Sequence, residues 1–486
     1  MGFLKKIHFS KFKPTLLKHR WIILIFSLSI FLRFWHVPEL FFFGLDEEYQ
    51  SLLGWSIVKD FHIIWIGTSM ADTGFYLGPG FVYFHSLLLY LSHGDPVVLG
   101  YMGALIGIVT TIVLYLTTKD IYSQKIGIIA SILYGFSTYM NFADRRFWNP
   151  TLIPLVSILI VYSLIKSQKN ELWIISLAFL LACTLHIHAS LFVYFFIIPL
   201  ILFVQFNNQK SVPSKKTIIL AIVSFIIVTS PLIVFDLVHN FDNLKTPLRL
   251  LSRLGSNNSE ITWIMSMKAF FDTLVQSFIF MESPAIFIIV SPIIIYFFWF
   301  LWKHKDNEAN YVLFVTVITY FFIFVAYPGK VHPYYLLGLI PAFFIGSSVA
   351  LSKITNKFLM ILLAIFIGTN MYLFYLVTPS RYGIKSKKIL IEHLVTAVGD
   401  ESFSLSTTQS YRTNPGWRYL FQAYGKTPIQ SDADQMFGWI YPDEINGSIK
   451  PTYTIFISTK HETLPQYSKE VYEAPYYGYI IKHNEK

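Results

Sequence analysis

The first three-quarters of the chain is a succession of apolar runs separated by short polar loops, and the last quarter is polar with short strand-like stretches. Runs of transmembrane character recur at about 21–35, 97–118, 126–142, 151–166, 172–185, 189–205, 217–235, 284–302, 310–327, 333–351 and 358–377. A mainly α polytopic membrane protein with about eleven transmembrane helices follows from that pattern. Between the first two runs, DEEYQSLLGWSIVKD and GPGFVYFHSLLLYLSHG are too short to cross comfortably. The first has Leu45, Leu52, Leu53 and Ile57 on one side, and both are expected to be juxtamembrane helices in the first outer loop. After the outer loop 236–262, WIMSMKAFFDTLVQSF reads as another interfacial helix. Beyond about Thr378, SFSLSTT and YTIFIST with the intervening GWRYLFQAYG read as a small α/β domain. The expected organisation is a transmembrane domain over 1–378 and an extracytoplasmic α/β domain over 379–486.

Charge sets the expected orientation. Lys119 and Lys125, Lys166 and Lys169, Lys210, Lys215 and Lys216, Lys303 and Lys305, and Lys353 and Lys357 fall in alternate loops, which the positive-inside rule assigns to the cytoplasm. The N-terminal Lys5, Lys6, Lys11, Lys13, Lys18 and Arg20 agree. No small-residue cleavage site follows them, so the first run reads as a retained span with a cytoplasmic N-terminus in the plasma membrane. The 38 Lys and Arg against 28 Asp and Glu leave a net charge of +10, but no basic stripe with interleaved polar aromatics accompanies it, so no nucleic-acid partner is expected. The one cysteine, Cys183, lies inside an apolar run; it excludes an intramolecular disulfide and a cysteine-based metal site, and reads as a small core residue.

Only 14% of the residues are charged, which makes the three consecutive acids Asp46, Glu47 and Glu48 stand out. A helix N-cap and dipole account for one acid. Three mutually repelling carboxylates at a membrane surface fit better as a general base or cation-binding pair at a cavity mouth. In ADRRFWNPTLIPL, Arg145 and Arg146 on an outer loop run against the charge rule and match a phosphate or carboxylate partner, or else pair with Asp144 or lipid headgroups. In YPGKVHPYYLLGLIPAFF, Lys330, His332, Tyr334 and Tyr335 could bind an anionic headgroup or form an aromatic belt with a snorkelling lysine. His186 and His188 in TLHIHAS are spaced by two like metal ligands, but no acids neighbour them and they read as polar cavity lining, as do Asn149 and Asp236. All these residues are expected at the outer membrane face.

In order and spacing, the acidic run after the first span, GPGFVYF, RRFWNP and GKVHPYYLLGLIP resemble the GT-C superfamily of membrane glycosyltransferases, in the branch of aminoarabinose transferases and protein O-mannosyltransferases. The resemblance covers roughly residues 20–351. It implies a GT-C bundle that transfers a sugar from a polyprenyl-phosphate donor, with inversion, to a glycan, lipid or protein acceptor outside. By position, Asp46 would be the base with Glu47 assisting it. Arg145 or Arg146, with Lys330 and His332, would neutralise the leaving phosphate, and Glu48, Asn149, His186, His188, Asp236, Tyr334 and Tyr335 would line the cavity. Two departures stand out: no second acid follows the arginines, where Trp148-Asn149-Pro150 stands, and Gly78-Pro79-Gly80 replaces a lysine before paired prolines. The missing second acid weakens the case for a two-carboxylate metal site; a divalent metal is left open as a cofactor, with Asp72 the substitute acid in view. A flippase or transporter of lipid-linked sugars, and a catalytically inactive scaffold, remain the rival readings. Two sequons, at Asn257 and Asn446, lie on the expected outside.

Overall fold

The computed structural model describes residues 12–70, 73–209, 212–254, 263–327, 329–377, 383–407, 416–433, 435–441, 444, 449–459, 469–470 and 477–484. Asp72, Lys5, Lys6, Lys11, Lys210 and both sequons lie outside the described residues. In chain order the helices are α1 (Phe12–Phe34), α2 (Val37–Leu40), α3 (Leu45–Asp60), α4 (Gly80–Leu91), α5 (Val97–Ile121), α6 (Gln124–Phe136), α7 (Thr138–Ala143), α8 (Ile153–Ser167), α9 (Trp173–Thr184) and α10 (Tyr194–Gln209). They continue as α11 (Lys215–Val238), α12 (Asp242–Leu254), α13 (Trp263–Phe278), α14 (Pro284–Lys303), α15 (Glu308–Val325), α16 (Leu339–Leu351), α17 (Asn356–Val377), α18 (Ile384–Val398) and α19 (Arg418–Tyr424).

Among the described residues, seven helices are long and apolar enough to cross a membrane. Several of the expected runs are broken by local chemistry. The 126–142 run is α6 followed by α7, because Ser137 caps α7 through Met140 N and also donates to Ser277 O at 2.7 Å. The 189–205 run opens with a 3-10 turn at Ala189–Val193, and Pro333–Leu336 forms another before α16. These turns place irregular backbone at one end of the bundle, where Ser190, Leu191, Val193 and Leu336 are buried within the protein. At the opposite end Lys166 pairs with Asp120 at 2.9 Å and Lys125 donates to Ser352 O at 2.9 Å, so the lysine-bearing loops are gathered there.

Both short segments of the first loop are helices, α3 and α4, and the C-terminal α/β reading is matched by a five-stranded sheet. Its strands are β1 (Phe403–Thr407), β2 (Gln430–Ser431), β3 (Tyr453–Thr459), β4 (Lys469–Glu470) and β5 (Tyr477–His483), in the order β2-β1-β3-β5-β4. β1 is parallel to β2 and β3, while β5 is antiparallel to β3 and β4. One hydrophobic core joins this sheet, α18 and α19 to Val37, Phe41, Phe43, Leu52 and Phe81 of the first loop. Ile384 N donates to Phe41 O at 3.0 Å across that junction, and Tyr424 Oη donates to Asp95 at 2.6 Å.

A buried ion pair locks the C-terminal end of α1. The Arg33 guanidinium contacts Asp144 through Nε at 2.9 Å and Nη2 at 2.8 Å, and it also donates to Ser29 and to Gly135 O. Tyr134 Oη donates to the other Asp144 oxygen at 3.1 Å. Asp144 is therefore engaged by Arg33, an arginine inside the first apolar run, rather than by its two arginine neighbours. Removing one partner of such a pair leaves an uncompensated buried charge, a loss of about 3–5 kcal/mol. Arg33→Met is expected to lower the thermal midpoint of the detergent-solubilised protein sharply, and the double variant Arg33→Met/Asp144→Asn to recover part of it. Scanning fluorimetry checks this, and additive losses in the double variant would contradict the pairing.

Candidate active site

The site is built where the first turn of α3 meets the loop 145–148 and the turn at 332–335. The three acids of that turn have three different fates. Glu47 is fully buried and grips Arg146 in a two-point pair, with Nε to Oε1 at 2.8 Å and Nη2 to Oε2 at 3.0 Å. Its Oε2 also accepts from Gly44 N at 3.2 Å, which caps the start of the helix. Asp46 keeps 55% of its side chain accessible and stands 3.8 Å from Arg146 Nη2. Glu48 points the other way: its two oxygens accept from Gly416 N at 3.0 Å and Tyr419 N at 2.9 Å in the C-terminal domain. The expectation that Glu48 lines the cavity is corrected accordingly, because side chains at successive helix positions face about 100° apart.

Asp46 is enclosed by protein yet open to solvent. Desolvation first, and the Glu47 charge second, push its carboxyl up to about 6, with Arg146 opposing them. Desolvation works against the Arg146 charge, but the Glu47 carboxylate more than offsets it, so the guanidinium is held above its ordinary value. The guanidinium also lies 3.7 Å from the centroid of the Trp148 ring, which fixes its plane. From Trp148 an aromatic wall continues to Tyr334 at 4.8 Å, then to Tyr335 at 4.7 Å and His188 at 5.6 Å. His332 stacks on Tyr334 at 5.5 Å. Lys330, on the approach to this wall, is exposed.

The remaining sequence candidates are ties that hold the site's loops. Arg145 is buried and donates to the carbonyls of Leu32, Arg33 and Trp35, closing the C-terminus of α1, so of the arginine pair it is Arg146 that stands beside Asp46. Asn149 accepts from Gln50 and Thr68 and donates to Ile187 O at 3.0 Å, so its amide is consumed in joining three segments. His186 accepts from Gly80 N at Nδ1 (3.1 Å) and faces Val228 O with Nε2 (2.9 Å), which leaves neither ring nitrogen for a metal or a substrate. A Cβ at Gly78 would lie 2.2 Å from that ring, which explains the glycine that departs from the resembled pattern. His188 accepts from Ser190 N through Nδ1 at 3.1 Å, and burial pushes it down to about 4, so it is a neutral part of the wall. Asp236 accepts from Asn243 N at 2.9 Å and Leu244 N at 3.3 Å and caps α12 instead of lining the cavity. Arg33, Lys387 and Trp148 carry structural or wall roles that sequence reasoning missed; the signal for Arg33 was a charge within an apolar run.

Among the described residues no group of three or more His, Cys, Asp or Glu gathers. Within the acidic run Glu47 is held by Arg146 and Glu48 by main-chain amides, so Asp46 is the one carboxylate that faces the opening. That donor set does not make a divalent-metal cradle.

Residues 77–235 match the sequence profile of the dolichyl-phosphate-mannose-protein mannosyltransferase family. Over 95% of its length the chain superposes on the crystal structure of ArnT from Cupriavidus metallidurans bound to undecaprenyl phosphate, with a TM-score of 0.64, 12% identity and 98% of that chain covered. The fold is that of the GT-C membrane glycosyltransferases. The apo state of the same ArnT gives a TM-score of 0.65 at 11% identity, covering 96% of this chain and 98% of that one. The Archaeoglobus fulgidus oligosaccharyltransferase AglB, in complex with an inhibitory peptide and a dolichol-phosphate, gives 0.50 at 11% identity, over 90% of this chain and 69% of that one. No curated protein matches the chain by sequence. The GT-C resemblance read from the motifs thus holds at the level of fold.

The Asp46 carboxyl is expected to titrate near pH 6 in infrared difference spectra of the purified protein. Glu47→Gln removes a like charge and frees Arg146, and should lower that titration by about 1–3 pH units, the range for a charge within about 4–6 Å. A carboxyl band that stays in place in Glu47→Gln, or persists in Asp46→Asn, would refute the assignment.

Proposed function

We propose that the chain is an integral-membrane glycosyltransferase that moves a sugar from a polyprenyl-phosphate donor to a hydroxyl-bearing acceptor on the extracytoplasmic face. The observation that carries this reading is the pairing of one open carboxylate, Asp46, with one oriented guanidinium, Arg146, 3.8 Å apart on a GT-C fold. A carboxylate that can take a proton and a guanidinium with N–H groups left for a phosphate are the two groups that such a transfer needs.

In this mechanism Asp46 takes the proton of the acceptor hydroxyl. The acceptor oxygen attacks the anomeric carbon from the face opposite the phosphate, and the bond from that carbon to the phosphate oxygen breaks with its electron pair going to the phosphate. Configuration inverts, and the polyprenyl phosphate leaves. Arg146 meets the growing phosphate charge, and Lys330 with His332 completes the cationic side. Glu47 holds the Arg146 plane and keeps that cation from collapsing onto Asp46. A guanidinium suits this work because its fork satisfies a carboxylate on one edge while leaving N–H groups for a second anion. The wall of Trp148, Tyr334 and Tyr335 flanks the pair on one side, with Trp148 covering the guanidinium face.

Eleven crossings, a cytoplasmic N-terminus and an outer C-terminal domain complete the reading. They are supported by the gathering of the lysine loops at the end opposite the site. The acceptor is a lipid, a glycan or a protein. A flippase of lipid-linked sugars would make the same anion contacts but would need ionisable groups along a mid-membrane path.

With radiolabelled polyprenyl-phosphate sugars and a cell-envelope acceptor extract, the wild type is expected to transfer label, and Asp46→Asn to fall by about 100-fold or more, the scale of losing a general base. The base must be ionised to act, so kcat/KM should rise with pH through an apparent value near 6. Arg146→Lys keeps the charge but loses the fork, and should lower kcat more than it raises KM. Equal transfer by wild type and Asp46→Asn would remove Asp46 as the base. Movement of the intact lipid-linked sugar across vesicles without transfer would favour the flippase.

A further inference from the structure

Glu48 is a fully buried carboxylate two residues from Asp46 that the transfer chemistry leaves without a task. Its partners, Gly416 N and Tyr419 N, lie 368 and 371 residues away, at the start of α19 in the C-terminal domain. Gly416 has φ +90°, and a Cβ there would come within 2.7 Å of Phe43 O, so glycine alone lets this amide reach the carboxylate. Lys387 of α18, also buried, grips the other side of the same segment: Nζ donates to Phe43 O at 3.0 Å and lies 4.7 Å from the Trp417 ring centroid. Tyr419 stacks on Phe43 at 6.0 Å. The stretch 41–48, whose last residues form the first turn of α3, is thus held along its length by α18 and α19.

We infer that Glu48 is a positioning residue through which the C-terminal domain holds Asp46 in register with Arg146, making that domain part of the catalytic unit. Two main-chain amides of the C-terminal domain bond the Glu48 side chain, which sits on the turn that carries the base. An error of about 1 Å in the placement of a reacting group can lower a rate by about 100-fold, so a grip this close to Asp46 acts on turnover. The inference rests on Asp46 being the base.

The test uses Glu48→Gln, which keeps the shape and one acceptor oxygen, and Lys387→Met, which touches the first loop from the C-terminal side alone. Rates are expressed per donor-binding site, titrated with a non-transferable polyprenyl phosphate, so that misfolded protein is not counted. Each variant is expected to lose about 10-fold in kcat per site with polyprenyl-phosphate affinity within about twofold of wild type. The double variant should lose less than the product of the two, because both act through one segment. Amide hydrogen exchange of residues 45–49 should quicken by about 10-fold in both variants, with α5 unchanged. Full kcat per site in Glu48→Gln would overturn the inference and leave a merely structural bond. A fall in polyprenyl-phosphate affinity that matches the fall in kcat would overturn it by placing Glu48 in the donor site. The exchange measurement needs no turnover, so unchanged exchange at 45–49 overturns the inference even where Asp46 proves not to be the base, while quickened exchange with an inactive wild type faults the transferase reading and leaves the grip intact.

Discussion

The Glu47–Arg146 pair is the interaction on which the arrangement depends. Two charges taken out of water together are tolerable only when geometry is good and the remaining hydrogen-bonding positions are filled. Here the guanidinium makes two bonds to the carboxylate, the carboxylate caps the backbone at Gly44, and Trp148 covers the guanidinium face. Because the pair joins residues 99 apart, it clamps the first turn of α3 to the loop that follows α7. It also orders the other two acids. With Glu47 taken, Asp46 is pushed up to about 6 by desolvation first and by the Glu47 charge second, while Glu48, on another helix face, accepts from the C-terminal domain.

Polar ties of this kind recur around the site and share a logic. Loops at a membrane boundary have neither lipid contacts nor regular ladders to fix them, so buried polar side chains take their backbone groups as partners. Arg145 collects carbonyls at the end of α1, His186 bridges Gly80 and Val228, Asn149 joins three segments, and Asp236 caps α12. Each looked like a functional group because it is polar in a greasy chain. Each instead holds irregular backbone in place, while Asp46 stays accessible beside Arg146.

The legibility of the site in the sequence follows this division. The region was readable, since scarce charges in 46–48, 145–146 and 330–332 cluster at span ends where a solvent-averse chain would not place them without reason. Individual roles were less so. Arg145 and Arg146 are neighbours of identical chemistry, and one residue of rotation sends one into the protein and the other to the opening. Arg33 went unnoticed because a single arginine in an apolar run reads as a span end, whereas its partner Asp144 lies 111 residues on. The missing second acid weakened a two-carboxylate metal site in the sequence, and Glu47, beside Asp46, is committed to Arg146.

By itself the sequence determined the membrane-embedded, mainly helical class, the two short helices of the first loop, the strands and helix of the C-terminal unit, and the order of motifs that resembles a GT-C enzyme. Those features depend on run length, period and local composition, which act over a few turns of chain. Only the tertiary structure decided which acid stays open, which arginine meets it, where helices break into 3-10 turns, and that the C-terminal sheet shares one core with the first loop. Those outcomes turn on pairings across roughly a hundred residues or more, where desolvation makes a buried charge choose its partner, and no local pattern records the choice.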